Sequence, residues 1–134
     1  MTISDAELFD NARAVREHAH APYSKFKVGA AIVDESGRIH VGCNVENAAY
    51  PLGACAETSA ISAMVSQGGK RIMRIAVLGG AGKIEPCTPC GGCRQAISEF
   101  ADDQTRILLL NEKVEIVSLA VAEILPMPFR FTLK

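Results

Sequence analysis

"TRILLLNEKVEIVSL", residues 105–119, decides the topology of the sheet. Two strand-like apolar runs flank Asn111-Glu112-Lys113. A parallel crossover needs about a dozen residues, so a connection of about three makes the two runs antiparallel neighbours. Upstream, "RIMRIAVLGG" (71–80) reads as a short, mostly apolar strand, and "KVGAAIVDESGRIHVGCNVE" (27–46) as two strands around a turn at Ser36-Gly37. Ser4 followed by Glu7 has the form of a capping box. Leu8, Ala12, Val15 and Ala19 then keep helical spacing up to Pro22. A second helix is expected from about Ala54 to Gln67, with Ala60, Ile61, Met64 and Val65 on its apolar stripe and Gly68-Gly69 as its stop. A third runs from near Gly91 to Phe100 with Ala96, Ile97 and Phe100 inward; Ser118 is expected to cap a last short helix that Pro126 ends. The sum is an α/β chain, a mixed five-stranded sheet with helices packed on it, read as one domain over residues 1–134.

Fourteen basic and fifteen acidic side chains give a net charge of −1, with no basic block. That balance argues against nucleic acid and against an anionic membrane surface, and favours a small, roughly neutral substrate. "MTISDAELFDNARAVREH" (1–18) alternates charged and apolar positions without the apolar core of a signal peptide, so a cytoplasmic location is expected. In a reducing compartment, five cysteines in clustered spacing point to metal or catalysis rather than to disulfides.

Three of the five lie in "CTPCGGC", as Cys87, Cys90 and Cys93. An iron–sulfur clip would need a fourth thiolate just past Cys93, where Ala96 and Ile97 stand. Cys90-Gly-Gly-Cys93 at a helix start also has the local form of a redox pair. A zinc site is the third reading, because "CAE" (55–57) opens the second helix as "PCGGC" (89–93) opens the third. Three thiols and one carboxylate then meet at two helix starts, and three ligands with a free fourth position are the mark of catalytic zinc. Residues two apart in mid-helix point about 200° apart, so Cys55 and Glu57 can face one ion only from the first turn.

"CAE" and "PCGGCRQ" together resemble the zinc-dependent cytidine deaminases. "APYSKFKVGAAI", "GCNVENAAYPLG" and "EILPMPF" extend the likeness over nearly the whole chain, to the small homotetrameric branch of that family. The resemblance implies a three-layer α/β/α fold whose last strand is antiparallel to the fourth. It also implies one Zn²⁺ per chain on Cys55, Cys90 and Cys93, and Glu57 as the proton-transfer group. Glu57 would take a proton from the water that attacks C4 of the pyrimidine, pass it to N3, then protonate the departing amino group. The same likeness assigns Asn44 and Glu46 to the ribose hydroxyls of a nucleoside, Phe26 to the pyrimidine face, and Tyr50 to a place near the site at a subunit boundary. Phe129 would reach a neighbour's pocket. Relatives of the three-cysteine kind usually follow "CAE" with arginine, whereas this chain has Thr58, so helix dipoles or another cation such as Arg94 must offset the thiolate charge.

His18, His20 and His40 share no spacing with the thiols and are given no role; Cys43 reads as a small buried residue and Cys87 as a bystander to the metal. Two other functions compete. A deaminase of a cytosine-bearing nucleoside antibiotic would not need the ribose-reading "NVENAAYP", and a zinc-stabilised binding module would recruit Cys43 or Cys87 as a fourth thiolate.

Overall fold

The computed structural model describes residues 2–131. Its elements in chain order are α1 (Asp5–Arg16), β1 (Lys27–Asp34), β2 (Ile39–Cys43), α2 (Ala56–Ser66), β3 (Ile72–Gly80), α3 (Gly91–Glu99), β4 (Arg106–Leu110), β5 (Ile116–Ala120) and α4 (Val121–Ile124). The five strands form one sheet in the order β2-β1-β3-β4-β5. Only β3 and β4 are parallel, with α3 as their crossover; β4 and β5 are antiparallel, Leu110 facing Ile116.

Strand alternation divides the core in two. Ala31 and Val33 of β1, Ala76 and Leu78 of β3, and Leu108 and Leu110 of β4 pack on Leu8, Phe9 and Ala12 of α1. Ala30, Ile32, Ile75, Val77, Ile107 and Leu109 face the other way, onto Ala60 and Met64 of α2, Ile97 of α3 and Ile124 of α4. This is the expected three-layer α/β/α arrangement. Glycine at position 42 brings α2 against β2, since a Cβ there would lie 2.3 Å from the Ala60 nitrogen and 2.7 Å from the Ala56 oxygen. The first turn of α2 is thereby fixed by backbone contact rather than by side-chain fit.

The local expectations differ from the structure in four places. The Ser4/Glu7 capping box forms, but α1 stops at Arg16, well before Pro22. Beyond it the chain pairs with residues 44–46, through His20 N–H to the Asn44 oxygen and Glu46 N–H to the His20 oxygen, and this pairing displaces further helix. Arg16 occupies the inward position after Ala12 and is buried, donating from Nε to the Lys27 oxygen and from Nη2 to the Gly80 and Gly82 oxygens. Val65 is exposed, so the stripe of α2 runs through Ala56, Ala60, Ile61 and Met64. Ser118 is inside β5, where its hydroxyl accepts from Arg106 Nε; the N-cap of α4 is instead Ala120, whose N–H is held by the Glu123 carboxylate.

The fourth difference is the β4–β5 turn, which spans 111–115 because Val114 has φ 62°. The Asn111 side-chain oxygen accepts from the Lys113 and Glu115 N–H groups and locks that turn. A β-branched residue in the left-handed region is strained by about 1–3 kcal/mol. Val114 is also 54% exposed, so its side chain gains little from packing. Val114→Gly is expected to stabilise the protein by about 1 kcal/mol, read as a higher denaturation midpoint at unchanged m-value.

At the other end of the sheet, His40 Nε2 lies 2.7 Å from Asp34 Oδ2, both side chains buried. Burial alone would raise the Asp34 carboxyl. The contacts from His40 and the Ser36 hydroxyl, together with the Ser36 and Arg38 N–H groups, outweigh it and hold the group well below the usual aspartate range. A depressed carboxyl contributes stability that is present above its unfolded value, near pH 4, and is lost as pH falls through the folded value. The native protein is therefore expected to lose stability below about pH 4 more steeply than Asp34→Asn, which starts lower at pH 7. Denaturant titrations at pH 7, 5, 4 and 3 check this; parallel curves would contradict it.

Candidate metal centre and cavity

Cys55 is the N-cap of α2 and Cys90 the N-cap of α3, both with extended backbone angles. Cys93 lies one turn into α3, and its N–H donates to Cys90 Sγ at 3.4 Å. The three sulfurs lie within 4.8 Å of one another and are the only such group of possible ligands among the described residues. A tetrahedral zinc with bonds of about 2.3 Å needs sulfurs about 3.8 Å apart, so small side-chain rotations bring this donor set onto a zinc ion.

The thiols are not equivalent. The Cys93 backbone N–H, ahead of the opposing effect of burial, draws the Cys90 thiol below its usual value. Burial pushes Cys55 and Cys93 up, with the other thiols and the Glu57 carboxylate adding to it for Cys93. A divalent cation reverses that balance, because its charge favours every thiolate at once. Cys87 is half-buried and outside the three-sulfur group; burial and the Glu57 and Glu85 carboxylates push its thiol up to about 11.

Glu57, on the first turn of α2, is only 5% exposed, and burial raises its carboxyl. It lines a cavity of about 360 Å³ together with the three clustered cysteines, Cys87, Val28, Asn44, Glu46, Tyr50 and Thr88. A second cavity of about 380 Å³, lined by Tyr23, Ser24 and Asn47, shares Glu46, Tyr50 and Gly53 with it. No lysine, arginine or histidine lines either space among the described residues.

Asn44 and Glu46 are already engaged with the backbone that frames the cavity. Asn44 accepts from the Val28 N–H at 2.8 Å and donates to the Phe26 oxygen at 2.8 Å, tying the end of β2 to the start of β1. Glu46 accepts from the Tyr23 and Ser24 N–H groups and from the Ser24 hydroxyl, which lowers its carboxyl, the hydroxyl foremost. Each keeps unused hydrogen-bonding capacity for a ligand. Tyr50 is exposed and meets Tyr23 edge-on, ring centroids 6.2 Å apart.

Phe26 and Phe129 do not line the main cavity. Phe26 approaches Gly79 from beside it: a Cβ at position 79 would lie 3.1 Å from Phe26 Cε1 and 3.2 Å from Cys87 Sγ. Phe129 is 72% exposed. Thr58 donates its hydroxyl to the Cys55 carbonyl at 3.0 Å, not to a sulfur. Arg94 is committed to backbone, through Nε to the Pro89 oxygen at 2.9 Å and Nη1 to the Ile124 oxygen at 3.0 Å. Of the two sources of positive charge expected for the thiolates, the helix N-termini are the ones aimed at them.

Cys43 ends β2 half-buried, His18 and His20 follow α1, and His40 is occupied by Asp34. The buried Arg16 was legible as a charge at an inward helical position, i+4 from Ala12, and is the residue that sequence reading passed over.

The family model for the cytidine and deoxycytidylate deaminase zinc-binding region matches residues 2–109. A protein named cytidine deaminase from Sporosarcina psychrophila is 42% identical over 123 residues, covering 92% of this chain and 89% of that one. One from Halalkalibacterium halodurans is 39% identical over 122 residues, covering 91% of each. Among solved structures, the cytidine deaminase of Burkholderia pseudomallei aligns with a TM-score of 0.86 at 38% identity, covering 95% of this chain and all 100% of that one. That of Mycobacterium tuberculosis aligns at 0.82 and 35%, covering 96% and 99%.

Proposed function

We propose, for a chain that belongs to the cytidine and deoxycytidylate deaminase family, the hydrolytic deamination of cytidine and deoxycytidine to uridine and deoxyuridine with release of ammonia, in pyrimidine salvage. The observation that carries this reading is the meeting of three thiol sulfurs and one buried carboxylate at two helix starts on the wall of one cavity. The family is a zinc-binding one, and the three-sulfur group fits one zinc per chain, held by Cys55, Cys90 and Cys93. Zinc bound there supplies a Lewis acid that makes water nucleophilic near neutral pH.

Glu57 performs the proton transfers. Its carboxylate takes a proton from the attacking water and delivers it to N3, while oxygen bonds to C4; it then takes the remaining proton from the new C4 hydroxyl and gives it to the exocyclic amino group, and the C4–N bond breaks to release ammonia as the C4 carbonyl forms. Burial raises this carboxyl, which makes its carboxylate a better proton acceptor than an exposed glutamate. Asn44 and Glu46 bind the ribose hydroxyls and Tyr50 closes the shared wall of the two cavities, while Phe26, beside the cavity at Gly79, borders the pyrimidine. The chain works as one catalytic domain.

Substrate choice follows from charge. Glu46 and Glu57 line this space, and among the described residues of the chain no lysine, arginine or histidine lines it to offset a phosphate, which favours a nucleoside over a nucleotide. No described helix is long and apolar enough to cross a membrane, and the reading places the enzyme in the cytoplasm. Met127, Phe129 and Phe131 present an exposed apolar tail, which supports a homotetramer in which Phe129 enters a neighbour's cavity.

The test is loss of amino-pyrimidine absorbance with the zinc-replete protein. Cytidine and deoxycytidine should turn over, and deoxycytidine 5′-monophosphate should show a kcat/KM about 100-fold lower or less, since a like-charge clash costs several kcal/mol. Preference for free cytosine or for the nucleotide would contradict the assignment.

A further inference from the structure

The exposed tail is not loosely attached. Gln95, on α3, donates from Nε2 to the Phe129 oxygen at 3.0 Å and accepts from the Phe129 N–H at 3.0 Å, so one side-chain amide pairs with both backbone groups of a single residue as a neighbouring strand would. The preceding residue, Arg94, holds the chain at Ile124. Two consecutive side chains of α3, whose N-cap is Cys90, thus hold the end of α4 and the tail beyond it, while Phe129 is left 72% exposed and outside its own chain's main cavity. Pinning the backbone of an exposed aromatic gains little for the chain that carries it, yet lowers the ordering cost when the ring is received elsewhere.

We propose that Gln95 is a positioning residue for catalysis in the adjacent subunit: it presets the backbone of Phe129 so that the ring enters a second copy's substrate cavity already oriented. This rests on the intersubunit role of Phe129 given above. Gln95 touches no substrate and acts only through Phe129. One short helix then serves two sites, its own metal centre through Cys90 and Cys93 and a neighbour's cavity through Gln95.

Gln95→Met keeps the length of the side chain and removes both hydrogen bonds. It should raise KM for cytidine about tenfold, the expected cost of losing two such bonds, with kcat nearly unchanged, one zinc per chain retained and assembly mass unaltered. The decisive arm is complementation. Gln95→Met chains are co-expressed with an excess of Glu57→Ala chains, which have no working cavity of their own but carry an intact Gln95–Phe129 pair. Cavities of the Gln95→Met chains are then served by the partner's tail, and KM should return toward the native value. A KM that stays high in the hybrids places the effect within one chain and overturns the proposal. Phe129→Ala separates the two readings. Full activity in Phe129→Ala overturns the intersubunit role itself, whereas loss in Phe129→Ala with none in Gln95→Met overturns only the part given to Gln95.

Discussion

Glu57→Gln is expected to keep its zinc and its fold and to lose about 10⁴-fold in kcat for cytidine. The residue is 5% exposed and lines the cavity beside the three clustered thiols. Among the described residues no other carboxylate and no histidine lines the main cavity apart from Glu46, which is held by the 23–24 loop. In the proposed mechanism a single group carries a proton twice per turnover, so its loss removes both transfers, which places the effect at the upper end of the range for general acid–base catalysis. The amide is close to the same size, so packing on the first turn of α2 survives. KM should move much less than kcat, because the amide still occupies the wall the pyrimidine meets. A decrease of tenfold or less would mean that solvent water shuttles the protons.

Substitution of the thiols separates ligands from neighbours. Cys90→Ser is expected to weaken zinc binding by more than about 100-fold, since removal of even an outer hydrogen-bond partner costs 10–100-fold, and to abolish deamination at limiting zinc. Cys87→Ser should retain one zinc per chain, although Cys87 lies in the same cavity, because its sulfur is outside the three-sulfur group and burial with two nearby carboxylates disfavours its thiolate. Metal content measured after dialysis against a zinc buffer reads the difference directly. Metal loss in Cys87→Ser with retention in Cys90→Ser would reverse the assignment of ligands.

The convergence of thiols was legible in the sequence because its cause is local. Cys55 and Cys90 each stand where a helix begins, so two helix starts that meet bring their sulfurs together. The antiparallel closing strands were legible for a similar reason, a connection too short for any crossover. The structure departs from the reading where distant partners decide. The end of α1 is set by pairing with residues 44–46, the backbone contacts of Asn44 and Glu46 come from segments 16–23 positions away, and the anchor of Phe129 lies 34 positions earlier. Ser118 shows the opposite error: a residue type that often caps helices was here a strand residue, because the β4 register faces it with Leu108 and Arg106 takes its hydroxyl.

Two helix starts assemble a single zinc-dependent deamination site in each chain. Metal-free protein titrated with zinc, with ammonia release from cytidine followed at each addition, measures it directly. Activity should be negligible without zinc, rise linearly, and reach its plateau at one zinc per chain. Full turnover by the metal-free protein, or a plateau that requires two zinc ions per chain, would contradict it.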